Sequence, residues 1–68
     1  MTERMVENRL QEVRKEFGAT QQTLAEAVGV TRQTIIAIEK GNYTPSVLLA
    51  MKLAQHFKVS VEDLFSLS

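Results

Sequence analysis

Apolar residues recur at helical spacing along most of this chain, and the runs break at residues that end or begin helices. Val6, Leu10, Val13 and Phe17 stand at i, i+4, i+7 and i+11, one stripe of a helix that Gly18 closes. Between them Glu7, Arg9, Glu12, Arg14, Lys15 and Glu16 form a charged outer side, the pattern of a solvated helix face. A second run opens behind Thr20, a suitable N-cap, and stops at Gly29, where the chain needs a positive φ that a Cβ would strain. Thr31 is placed to cap a third run through Lys40, its hydroxyl within reach of a backbone N–H near Thr34. After Gly41 comes a loop through Thr44. Thr44 then caps a fourth helix with Pro45 in its first position, where a missing N–H costs nothing. Val47, Ala50, Met51, Ala54 and Phe57 are its expected buried stripe, and Ser60 caps a last short helix over Val61–Phe65. Residues 1–5 carry no pattern and are expected to fray unless they pair with something such as the tail at 66–68.

The pattern therefore predicts an all-α fold of five helices, with no sheet other than, at most, a short pairing of the termini. The expected core includes Leu10, Val13, Leu24, Val28, Ile35, Ile38, Ala50, Ala54 and Phe57. At its centre is Gln21 to Ile38. Counting from Gln21, Ala25 falls at i+4, Gly29 at i+8, Ile35 at i+14 and Ile38 at i+17: a small residue where two helices meet, a glycine at the turn, and branched apolar residues on the second helix. That string fits a helix-turn-helix.

With Ile35 and Ile38 directed inward, a rotation of about 100° per residue turns Gln33 and Lys40 outward, with Ile36 and Ala37 beside them and Arg32 at the entering end. A solvated face usually carries Glu and Lys. Arg suits the O6 and N7 of guanine, Gln suits the N6 and N7 of adenine, and Ile or Ala fits a thymine methyl. Arg32, Gln33, Ile36 and Ala37 are the candidate base contacts. Gln21 and Gln22 open the second helix, whose free N–H groups suit a phosphate. Thr31 and Thr34 at the next helix start, and Lys40, Asn42, Tyr43 and Thr44 around the following loop, are further candidates for the sugar-phosphate backbone. Leu48 points away from the stripe of helix 4, and Leu64, Phe65 and Leu67 are more apolar surface than one helix layer buries, so these four are the candidate dimer interface.

Composition narrows the rest. Sixty-eight residues suit one domain, 1–68, with a small core and no separate effector domain. There is no cysteine to form disulfides or thiolate metal sites. No apolar run approaches the ~20 residues of a membrane span, and no signal-peptide h-region opens the chain, so a cytoplasmic location is expected. Eight basic and eight acidic side chains leave a net charge of zero, which is unusual for a nucleic-acid binder. Counterion release depends on where the cations lie, and Glu62 and Asp63 are candidates for acids held far from a phosphate. His56 stands alone, without a second His or a Cys, and reads as an ordinary surface or boundary residue.

The residues Thr20-Gln21, Leu24-Ala25, Gly29 through Ile35, Ile38-Glu39, Gly41, Pro45-Ser46 and Val61 through Phe65 resemble the small Cro and phage-repressor-like helix-turn-helix regulators, often called xenobiotic-response-element-like. The similarity runs from about Asn8 onward. It implies a five-helix, lambda-repressor-like DNA-binding domain. It also implies an ion pair between Arg14 and Glu39, with Arg14 approaching a phosphate, and a DNA-facing loop at 40–44. The expected partners are double-stranded DNA and a second copy of the chain. No cofactor, metal or small-molecule ligand is expected.

An enzyme is the weakest reading, because the chain has no phosphate-binding Gly-rich loop, no metal-ligand cluster and no nucleophile and base at recognisable spacing. The leading expectation is a DNA-binding transcriptional regulator, a repressor acting as a homodimer on a pseudo-palindromic operator. The neutral charge leaves one alternative of another class, an antitoxin or adaptor that uses the helix-turn-helix as a scaffold.

Overall fold

The computed structural model describes residues 5–68, in the order β1 (Val6–Asn8), α1 (Leu10–Glu16), α2 (Gln21–Val28), α3 (Arg32–Glu39), α4 (Val47–Phe57), α5 (Val61–Leu64) and β2 (Phe65–Leu67). All five expected helices are there, and the strands are the short terminal pairing. They run antiparallel, with Val6 opposite Leu67, Glu7 opposite Ser66 and Asn8 opposite Phe65. The fraying expected of residues 1–4 lies outside the described residues. Met5 makes the alternative pairing with the tail: its N–H donates to Ser68 Oγ at 3.1 Å and its carbonyl accepts from the Ser68 N–H at 2.9 Å.

Side-chain caps start four of the helices. The hydroxyls of Thr20, Thr31, Ser46 and Ser60 accept from the backbone N–H of Thr23, Thr34, Leu49 and Asp63, each removing one orphan donor. Gly29 adopts φ 77° after α2, and Gly41 adopts φ 80° after α3. At Gly41 the closing bonds run from its own N–H to Ile38 O and from Asn42 N–H to Ala37 O, both at 2.9 Å, a Schellman arrangement that only a residue comfortable at positive φ completes without strain.

The core joins Leu10 and Val13 of α1, Leu24, Ala25 and Val28 of α2, Ile35 and Ile38 of α3, Leu49, Leu53, Ala54 and Phe57 of α4, and Leu64 of α5. Four expectations are corrected. Helix α1 begins at Leu10, not Val6, because Asn8 Oδ1 accepts the Leu10 N–H at 3.1 Å and turns the chain out of the strand. Val6 therefore lies in β1, and Phe17, past the helix end, is 59% exposed with its ring 5.1 Å from that of Phe57. Helix α4 is capped by Ser46, not Thr44, and Pro45 precedes the cap.

The stripe of α4 is also rotated. Leu49 and Leu53 are buried, whereas Val47 is 76% and Met51 57% exposed, and Ala50 is half-buried. Val47 to Ala54 is apolar at every position but Lys52, so helical periodicity alone admits two phases that share Ala54 and Phe57. Contact with α2 and α5 selects one. The fourth correction is Leu64, which is 1% exposed inside its own protomer and has no surface to offer a second copy.

Leu53→Ala is expected to cost about 2–5 kcal/mol, as large-to-small changes in a closed core do. Met51→Ala, at an exposed position, should stay within about 0.5 kcal/mol for the isolated protomer. Urea melts of dilute protein check both. Asp63 supplies a pH dependence. The Ser60 N–H donates to its carboxylate at 3.0 Å, and this bond, with help from the Ser60 hydroxyl and the Arg9 charge, holds its pKa below the usual carboxylate value. Its contribution is therefore present above the unfolded carboxylate pKa, about 4, and lost as pH falls through the lower folded value. Asp63→Asn should flatten that acid limb in melts across pH 2–7.

Candidate nucleic-acid interface

Helix α3 is held against α2 by close approach at Ala25, which is fully buried, and Ile35 and Ile38 are its inward residues. This packing leaves the opposite side of α3 outward. Arg32, Gln33 and Lys40 are exposed, while Thr34, Ile36 and Ala37 are half-covered at the flanks. The polar members of the expected reading face thus project furthest, and Ile36 and Ala37 form its lower edges.

The far end of α3 is fastened by a buried polar network. Arg14 donates from Nε to Glu39 Oε2 at 2.7 Å, from Nη2 to Glu39 Oε1 at 3.1 Å and from Nη1 to the Ala19 carbonyl at 3.0 Å. Gln21 Nε2 adds a further bond to Glu39 Oε1 at 3.1 Å. The Arg14 and Glu39 side chains are 9% and 3% exposed. A bidentate, charge-assisted pair of this kind matches the planar fork of guanidinium. Among the described residues, no buried side-chain polar atom lacks a partner. The implied pairing of Arg14 with Glu39 is therefore present, and Gln21 joins it. Asn8 is a residue the sequence reading missed: its Nδ2 donates to Ile38 O at 2.8 Å, tying β1 to the last turn of α3. No local pattern marks it, because its partner lies 30 residues away and the N-cap of α1 is Arg9, with no side-chain cap bond.

Arg14, Ala19, Thr20, Gln21, Gln22 and Arg32 surround one open cleft of about 400 Å³ at the start of α2. It brings together the cations of α1 and α3 and the N-terminal N–H groups of α2, where a partial positive charge resides. Gln22 donates to Glu26 at 2.9 Å along the outside of α2. Thr31 and Thr34 are engaged with each other, their hydroxyls 3.1 Å apart in the cap of α3. Asn42 and Tyr43 are exposed in the loop that follows. Tyr43 shares a second cleft with Thr34, Leu48 and Lys52, whereas Phe65 lines a different groove with Val6 and Met51. The candidate interface residues Leu48 and Phe65 are thus not brought together.

The charge distribution answers the zero net charge. The only carboxylate of α3, Glu39, is neutralised by Arg14, so Arg32 and Lys40 share their helix with no competing acid. Glu62 and Asp63 belong to α5, which packs on α4 and β2.

A family model described as helix-turn-helix matches residues 10–64. The uncharacterised HTH-type transcriptional regulator YgzD of Bacillus subtilis is 52% identical over 60 residues, covering 88% of this chain and 91% of the relative. The cryptic phage CTXphi transcriptional repressor RstR of Vibrio cholerae is 31% identical over 62 residues, 91% of this chain and 56% of the relative. Among solved structures, the restriction-modification controller protein C.AhdI of Aeromonas hydrophila superposes with a TM-score of 0.76 at 31% identity, covering 81% of this chain and 83% of its own.

Arg14→Ala and Glu39→Ala should each cost more than the ~0–1 kcal/mol of an exposed pair, because each leaves the other charge buried without its partner. The double variant should cost clearly less than the sum. A double-mutant cycle measured by urea unfolding gives the coupling, and additive costs would show that the two charges do not support one another.

Proposed function

Because the chain belongs to the Cro/C1-type helix-turn-helix family of transcriptional regulators, we propose that it is a sequence-specific DNA-binding repressor. It acts in the cytoplasm as a homodimer on a pseudo-palindromic operator, with one α3 in each of two successive major grooves ~34–36 Å apart. No catalytic step and no cofactor belongs to this reading. The observation that carries it is the outward side of α3, where Arg32, Gln33 and Lys40 are exposed beside a helix start lined by Gln21, Gln22 and Arg14.

In this reading Arg32 and Gln33 meet base edges first, and Ile36 and Ala37 approach thymine methyls from the flanks. Gln21 and Gln22, with the free N–H groups of α2, grip one phosphate, which the remaining N–H groups of Arg14 approach. Thr31, Thr34, Lys40, Asn42 and Tyr43 hold the neighbouring backbone. Phosphate contacts set the register and base contacts set the preference. Of the four candidate interface residues, Leu48, Phe65 and Leu67 remain available to a second copy, and Leu48 is 64% exposed. Leu67 is 60% exposed.

Gel shifts on the DNA upstream of the chain's own coding sequence and on a scrambled duplex, each over a salt series, separate reading from gripping. Gln33→Ala should lose about 1–3 kcal/mol on the operator and almost nothing on the scrambled duplex. Lys40→Ala should weaken both alike and lower the salt slope by about one ion. Equal losses on both duplexes for Gln33→Ala would remove α3 as the reader and favour a scaffold role for the helix pair.

A further inference from the structure

β1 and β2 form a two-stranded sheet, so each strand has one edge that its neighbour does not use. Two backbone bonds show which groups face inward: Arg9 N–H to Leu64 O at 2.8 Å and Ser68 N–H to Met5 O at 2.9 Å. In an antiparallel pair, hydrogen-bonded positions alternate with open ones. With the register of this sheet, Glu7 and Ser66 face one another's backbone groups. Those of Val6 and Asn8 turn outward on the β1 edge, and those of Phe65 and Leu67 turn outward on the β2 edge. Three-residue strands in a lone pair are marginal in water. The β2 edge, Phe-Ser-Leu, carries none of the charges, prolines or bulges that block further pairing.

We propose that a second copy of this chain pairs its β2 with β2 about a two-fold axis at Ser66, making a continuous four-stranded antiparallel sheet. This rests on the dimer of the proposed function and specifies how it is built. Phase and chemistry both suit the axis. Phe65 stands opposite Leu67 of the second copy in a hydrogen-bonded pair, twice over, and Ser66 stands opposite Ser66, two neutral hydroxyl side chains.

The other two-fold pairing, β1 with β1 about Glu7, opposes two carboxylates directly, which is unfavourable. It also lies on the side where Asn8 reaches the end of α3. Pairing β1 with β2 is not two-fold and propagates instead of closing. Beside the sheet, Val6 and Phe65 border an apolar groove with Val47, Ala50, Met51 and Val61, and Leu67 stands opposite Val6. Among these residues Val47 is 76%, Leu67 60%, Met51 57% and Val6 38% exposed, an apolar surface beside the β2 edge of the kind that marks an interaction site.

The chain has no cysteine, so a single introduced thiol reports the axis. An open antiparallel pair sets its Cα atoms ~4.5 Å apart, inside the range a disulfide spans. Full-length Ser66→Cys, mildly oxidised with glutathione disulfide at micromolar concentration, should form a covalent dimer at least tenfold faster than Leu48→Cys. Ser66→Lys places its ammonium opposite Glu7 within the chain and two ammoniums together at the axis. It should keep the helical circular dichroism signal and raise the dimer dissociation constant at least tenfold in sedimentation. If Leu48→Cys cross-links and Ser66→Cys does not, the β2 pairing is overturned while the dimer stands. A chain that sediments as a monomer with and without operator DNA overturns both.

Discussion

The rest of the structure depends on the buried pairing of Arg14 with Glu39. Taking two charges out of water costs several kcal/mol per ion, and this chain offsets that cost through completeness. Both carboxylate oxygens accept from the guanidinium, Gln21 adds a bond, and the Ala19 carbonyl takes another N–H. Bonds from Arg14 of α1 and Gln21 at the start of α2 converge on Glu39, the last residue of α3, and the Ala19 carbonyl of the α1–α2 connection holds the guanidinium from the other side. A core of twelve apolar side chains fills space without direction and tolerates rotation of a helix. Hydrogen bonds with fixed angles do not. The network therefore sets the rotation of α3 about its own axis, and with it the residues that project.

The same pairing reconciles a neutral chain with a polyanionic partner. If Glu39 stood free it would place a negative charge on the helix that carries Arg32 and Lys40. Held under Arg14, it leaves those two cations without an opposing carboxylate on α3. Glu62 and Asp63 are carried on a different helix, α5, and charges exposed to water are screened over ~8–10 Å. Net charge describes the whole surface, and binding responds to one side of it.

The two ends of the chain are coupled to this reading side through Asn8. It pairs with Phe65 in the sheet, begins α1 by accepting from Leu10, and donates to Ile38 at the end of α3. The terminal strands and the end of α3 are thus joined by a direct hydrogen bond. The groove bordered by Val6, Phe65 and Met51 lies along the same strands, and there the apolar surface of α4 that its own core does not use comes to the outside.

Local chemistry in the sequence determined most of the framework. The caps at Thr20, Thr31 and Ser60, the turn at Gly29 and the apolar spacing of α2 and α3 are decided within a few residues, and each is legible because one residue type satisfies the steric or hydrogen-bonding need. The similarity to repressor-like regulators added the partnership of Arg14 and Glu39, residues 25 apart, which no local pattern contains. Tertiary structure alone decided the remainder. It chose the phase of α4, where Val47 to Ala54 is apolar almost all round and only the neighbours α2 and α5 distinguish Leu53 from Met51. It folded Leu64 into the core although its place near the chain end suggested a free surface. It drew residues 6–8 out of an apparent helical stripe into a strand, because the carbonyl at Ile38 and the strand at 65–67 offer Asn8 and its neighbours hydrogen bonds that a longer helix would forgo.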